Sequence, residues 1–308
     1  MDRREFLKAS AMAAAFAAVA SKLPAQAPAA PKDEAPDNRE KPGVAVVRNG
    51  EPAAMFRKGI EALGGMSAFV KPGQSVCVKP NIGWDRKPEL AANTNPELVG
   101  EIVKQCLAAG ASKVEVFDRT CHNWVDCYKN SGIKEAVETA GGVMLPGQDG
   151  SWYVDREAPE AVQMKNCKVH KTLLDADVVI NVPILKVHGA ARMTACLKNW
   201  MGVVEDRRYM HLNNLPQCIA DSILYRKPDL NVLDAYRVMV SNGPQGRSLD
   251  DVETPRYLLI SKDPVVLDAM GVRLLRRTPE QVPHIAMAEK LGLGVADPEK
   301  HNVARLEA

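Results

Sequence analysis

Residues 177–202 read DVVINVPILKVHGAARMTACLKNWMG, and this stretch decides the fold. Val178, Val179 and Ile180 form an apolar run too short for a helix, and Pro183 lacks the N–H that a central ladder needs. A buried strand is therefore expected to end near Asn181-Val182-Pro183. Lys186, His188, Thr194, Lys198 and Asn199 follow it, and they are expected in a glycine-containing loop and the next helix. So many polar groups behind a buried strand point to a site rather than to packing.

The same alternation extends on both sides. Strands are expected at Val44–Val47, Ser75–Lys79, Lys113–Phe117, Leu230–Leu233 and Tyr257–Ile260. Helices are expected at Met55–Leu63, Pro96–Ala109, Ser131–Ala140, Leu215–Tyr225, Pro264–Leu275 and Glu280–Leu291. The helix at Pro96 is well marked: proline suits the first turn, Thr94 or Asn95 can cap it, and Leu98, Val99, Ile102, Val103 and Cys106 form one apolar stripe before Gly110. Strand–helix alternation implies an α/β fold, a mainly parallel sheet with helices on both faces, with two lobes around a cleft as a variant. In such sheets ligands bind beyond the carboxyl ends of the strands.

The chain has 308 residues with 46% apolar content, ample for a core. Its 40 basic and 38 acidic residues nearly cancel, so no global field favours nucleic acid or a membrane surface. At the N-terminus, Arg3-Arg4 precede Phe6-Leu7-Lys8 and an alanine-rich stretch from Ala9 to Ala20. This resembles a twin-arginine export signal over residues 1–30, followed by a linker at 31–42 and one α/β domain at 43–308. The expected partner is the twin-arginine translocation machinery, and the expected location periplasmic or extracellular. Cleavage after Ala27 or after Ala20 fits the small-x-small rule, and no cysteine lies near either position to carry a lipid anchor.

The strand ends are polar. Lys79-Pro80-Asn81, Asp118 to His122, Lys186 with His188, Lys198-Asn199, Asp234 and Ser261-Lys262-Asp263 each follow an expected strand or the segment behind it. Lysines with asparagine suit a carboxylate or phosphate, so Lys79, Asn81, Asn199 and Asp263 are read as cofactor- or ligand-binding, with Lys79 alternatively snorkelling from a strand end. His188 is the candidate general acid, base or metal ligand, flanked by Lys186 and Lys198 as its catalytic companions. His211 either joins it or caps a helix. Asp118, Cys121, His122 and His211 could hold a transition metal, while a Cys121–Cys127 disulfide competes for the same loop in an oxidising compartment. Nucleotide-binding glycine motifs and the serine-hydrolase elbow are absent, and Asn242-Gly243-Pro244 reads as a tight loop.

Val78-Lys79-Pro80-Asn81, Thr94-Asn95-Pro96-Glu97, Asn181-Val182-Pro183 with Lys186 and His188, Leu197-Lys198-Asn199 with Gly202, and Ser261, Asp263, Val265 and Asp268 together resemble the domain of unknown function 362 family. The resemblance runs from about Val44 to Gly294. Some members carry ferredoxin modules, but the ferredoxin-type iron–sulfur cysteine run is missing here. The spacing from His188 to Lys198 is also similar to the lactate racemase family. That resemblance implies a nickel-containing nicotinate-derived cofactor, His188 as base or metal ligand, and Lys186 or Lys198 on the substrate carboxylate or the cofactor. The expected function is an exported enzyme for a small anionic molecule, with a non-catalytic carrier or redox accessory as the alternative.

Overall fold

The computed structural model describes residues 42–308. The export signal expected over residues 1–30, and all but the last residue of the expected linker, lie outside the described residues. Residues 42–308 belong to one compact unit.

The strands are β1 (Val44–Arg48), β2 (Ser75–Pro80), β3 (Lys113–Val116), β4 (Val143–Met144), β5 (Tyr153–Glu157), β6 (Asn166–His170), β7 (Val178–Val182), β8 (Ile184–His188), β9 (Arg192–Thr194), β10 (Leu230–Met239), β11 (Val252–Glu253), β12 (Tyr257–Ser261) and β13 (Val303–Glu307). The helices are α1 (Pro52–Ala62), α2 (Pro96–Ala108), α3 (Trp124–Asn130), α4 (Ile133–Thr139), α5 (Lys171–Asp175), α6 (Cys196–Asn199), α7 (Arg207–Leu212), α8 (Leu215–Ser222), α9 (Pro264–Leu274) and α10 (Pro283–Lys290).

One large sheet runs β13-β1-β12-β10-β7-β2-β3-β4. The half from β10 to β4 is parallel, whereas β12 is antiparallel to both β10 and β1. Two apolar cores show that helices cover both faces: Cys77 and Val179 face one core, and their neighbours Val76, Val78, Val178 and Ile180 face the other. The small β5–β6 hairpin forms a separate sheet that the sequence pattern did not announce, because four of the five β5 side chains are exposed and carry no alternation.

Two expectations change. Pro183 ends β7 as anticipated, but the chain does not enter a loop: β8 starts at Ile184, steps across to pair in parallel with β10, and folds back on β9. Lys186 and His188 therefore stand on a strand, and the loop shrinks to residues 189–191. Strand β10 continues to Met239 instead of stopping at Leu233, so Asp234 sits inside it, where its carboxylate accepts the N–H groups of Asn95 and Tyr236. Among the described residues, no helix is long and apolar enough to cross a membrane.

Candidate functional site

A cavity of about 420 Å³ opens where β2 and β3 end, and is lined by Lys79 of β2, by the segments that follow β2 and β3, and by residues of β8, β9, α6 and α7. Its floor is a chain of amides. Asn81 Nδ2 donates to Asn199 Oδ1 at 2.9 Å, Asn199 Nδ2 to Asn181 Oδ1 at 2.9 Å, and Asn181 Nδ2 to Asn231 Oδ1 at 2.9 Å. Asn231 Nδ2 in turn donates to the Lys262 carbonyl at 3.2 Å. Each amide thus has a fixed orientation, and the chain leaves Asn81 Oδ1 to accept from Lys186 Nζ at 2.9 Å.

Lys79, expected to bind ligand, is fully buried and already committed. Its ammonium meets Asp118 at 2.8 Å and donates to Asn199 Oδ1 and the Pro80 carbonyl, each at 3.0 Å. An ammonium has three protons, so Lys79 has none left for a ligand and serves the floor instead. Asp118 is likewise engaged, accepting from Ile82 N at 2.6 Å. Gly202 presses on this pair: a Cβ there would lie 2.0 Å from Asp118 Oδ1 and 2.5 Å from Lys79 Nζ.

The walls are cationic. Lys186, Lys198, Arg119, Arg207 and Arg208 line the cavity with His188 and His211, and Asp118, already paired, is the sole carboxylate among the lining residues. Burial and the nearby Lys198 lower Lys186 to about 7, and burial lowers Lys198 to about 8. Lys186 Nζ donates to the Ala92 carbonyl and to Asn81. Lys198 has no hydrogen bond or ion pair among the described residues. Arg119 Nη1 and Thr194 Oγ1 are buried without a hydrogen-bond partner among them as well.

His188 faces the cavity with Nδ1 accepting from Ala191 N at 3.1 Å. Burial, with Lys198 and Lys186, drives its pKa down to about 2, so the ring is neutral and its proton sits on Nε2. In this state it is a hydrogen-bond donor rather than a base. The His211 ring stacks 6.5 Å away, inclined 18°, and burial lowers its pKa too.

Other expected site residues go elsewhere. Asp263 caps α9, accepting from Val265 N at 2.7 Å and Val266 N at 3.2 Å, and does not line the cavity. His122 packs edge-on to Trp84 at 5.0 Å instead of facing the cavity. Cys121 is exposed at the cavity wall and Cys127 is buried, and both thiols are free, so no disulfide joins them. No group of three or more His, Cys, Asp or Glu able to hold a metal ion occurs among the described residues. Of the proposed set, Asp118, Cys121 and His211 line the cavity without gathering into a metal-holding group, and His122 lies outside the lining.

Three contributors carried weaker sequence signals. Arg119 follows Asp118 and Arg207 follows Glu205-Asp206, so neither stands out as a lone cation in the sequence; Arg207 is held against the loop after β3 by the Arg119 and Thr120 carbonyls at 2.9 and 2.5 Å. Asp268, buried on α9, accepts Cys196 N at 2.6 Å and Leu197 N at 3.2 Å, and so holds the start of α6, which carries Lys198 and Asn199. Its spacing to Asp263 was visible in the sequence, but its reach to α6 was not.

Residues 76–273 match the family described as Domain of unknown function (DUF362). The chain belongs to that family. The matched span contains every DUF362 cavity residue named above, from Lys79 to His211, and Asp268 behind them. This DUF362 chain is 28% identical over 248 residues to a thylakoid-associated protein of Synechocystis sp., covering 78% of this chain and 75% of that one. Among solved structures it is similar to a lactate racemase apoprotein from Thermoanaerobacterium thermosaccharolyticum, with a TM-score of 0.44, 11% identity, and coverage of 75% of this chain and 56% of that one. It is also similar to a protein from Thermotoga maritima, with a TM-score of 0.40, 11% identity, and coverage of 78% and 60%. The DUF362 chain thus spans less than two thirds of either solved chain.

Proposed function

We propose that this protein is an enzyme that binds a small carboxylate- or phosphate-bearing molecule in the cavity between β2, β3, β8 and α6, and that it works after export by the twin-arginine route. One observation carries the reading: Lys186 and Lys198 share a cavity that offers neither of them a carboxylate, since the acid in its lining is held by Lys79. Such an arrangement favours an anion, which neutralises charges that burial makes unfavourable.

The roles follow from free hydrogen-bonding capacity. Lys198 and Arg119 supply the cationic contacts to the ligand anion. His188, neutral and protonated on Nε2, donates to a ligand oxygen, as a neutral imidazole does when it polarises a carbonyl. Asn81 and Asn199 position these groups and are not free to bind.

A thermal-shift panel of small carboxylates and inorganic phosphate tests the reading. At least one of them is expected to raise the melting temperature of the wild type and to leave that of Lys198→Ala unchanged. Equal shifts in both proteins would place the anion elsewhere.

A further inference from the structure

We infer that Lys186 is an amine nucleophile that forms an imine with the carbonyl of a carbonyl-bearing carboxylate, a 2-oxo acid being the simplest case. This rests on the anion-site reading above and names its substrate class and chemistry.

The geometry around Lys186 differs from that of the other two lysines. Lys79 spends its three protons on protein acceptors, and Lys198 has no protein acceptor among the described residues. Lys186 lies between these cases. Its nitrogen is buried and fixed by two acceptors, the Ala92 carbonyl and Asn81 Oδ1. A neutral amine has two protons and one lone pair, so two acceptors consume the protons and leave the lone pair for the cavity that Lys186 lines.

Lys186 also has the neighbours such a reaction needs. His188 is two residues along β8 and so on the same face of the strand, with its Nε2–H available to a carbonyl oxygen. Thr194 stands directly opposite Lys186 in the β8–β9 pairing, and its buried hydroxyl has no protein partner among the described residues. An unpartnered buried hydroxyl beside the nucleophile is what a polar atom of a bound ligand would satisfy. Burial, with a second cation close by, favours the free amine at neutral pH, the way reactive lysines are commonly activated.

The step balances without an oxidant or reductant. The Lys186 lone pair bonds the carbonyl carbon, and the π pair moves to oxygen, which His188 Nε2–H and the Thr194 hydroxyl stabilise. The nitrogen loses a proton and the oxygen gains one, giving a carbinolamine. One further proton from solvent lets the hydroxyl leave as water, and the product is an iminium on Lys186. The ligand carboxylate stays with Lys198 and Arg119.

The test uses the purified full chain incubated with pyruvate and sodium borohydride, followed by intact mass and peptide mapping, beside a thermal shift with lactate. One reduced adduct on Lys186 is expected, lost in Lys186→Arg, with lactate stabilising but giving no adduct. If lactate stabilises and pyruvate leaves Lys186 unmodified, or modifies surface lysines to the same extent, the imine is wrong and the anion site stands. If neither compound shifts the melting temperature and no adduct forms, both are wrong. Should Lys186→Arg fail to fold, the site of modification in the wild type decides by itself.

Discussion

Lys79 and Asp118 form a buried ion pair at 2.8 Å that leaves no room above it for any side chain at position 202. This pair fastens the end of β2 to the end of β3 and, through Lys79 and Asn199, to α6. Its role is to hold the cavity floor rather than to touch a ligand. Lys79→Met leaves Asp118 buried and unpaired, which should cost about 3–5 kcal/mol in urea denaturation. Gly202→Ala should cost about 1–3 kcal/mol or more by crowding the same pair.

Lys198 makes a contrasting prediction. It has no hydrogen bond or ion pair to lose among the described residues, and its charge is disfavoured by burial, so Lys198→Met should fold as well as the wild type or better. Anion binding should weaken by roughly 10–100-fold, the loss of one charge-assisted hydrogen bond of about 1.5–3 kcal/mol. Parallel denaturation and titration curves would check both halves.

The pH dependence has a definite sign. Lys186 and Lys198 titrate at about 7 and about 8, so both are cationic below pH 7 and both neutral above 8. Anion affinity should be greatest below pH 7 and fall as pH rises through 8, with protons taken up on binding near pH 7.5. Between the folded value of about 8 and the ordinary lysine value of 10.5, the unfolded chain holds the extra proton on Lys198. The stability advantage of Lys198→Met should therefore be full below pH 8 and vanish as pH rises through 10.5.

Asp268 acts on the site through α6. Asp268→Ala strands the Cys196 and Leu197 N–H groups in the core, so a loss of about 1–3 kcal/mol is expected. Because α6 carries Lys198, anion binding should weaken as well. Asp268→Asn keeps one amide acceptor and should recover part of both losses.

The parallel half of the sheet was legible because its strands are short apolar runs between glycine-closed helices, and β2, β3 and β7 fall where those runs lie. The cluster at Lys186, His188 and Lys198 was legible for the same reason, since strand ends are where such sheets place ligands. Three features were not. Pro183 ends a ladder, but it cannot say that the chain resumes as β8 against β10, a long-range pairing. Lys79 and Lys186 look alike in sequence, and only the count of their acceptors separates a structural ammonium from a reactive amine. Asp263 follows a strand as a ligand residue would, yet a carboxylate before Pro264 is equally a helix cap, and here the cap prevails.

The most direct test is calorimetric titration of pyruvate and inorganic phosphate into the wild type, Lys198→Met and Asp263→Ala at pH 7. One of these anions is expected to bind at one site per chain, Lys198→Met to abolish or strongly weaken that binding, and Asp263→Ala to bind like the wild type while losing about 0.5–2 kcal/mol of stability with its cap. Unchanged binding in Lys198→Met, or loss of binding in Asp263→Ala, would contradict the anion site.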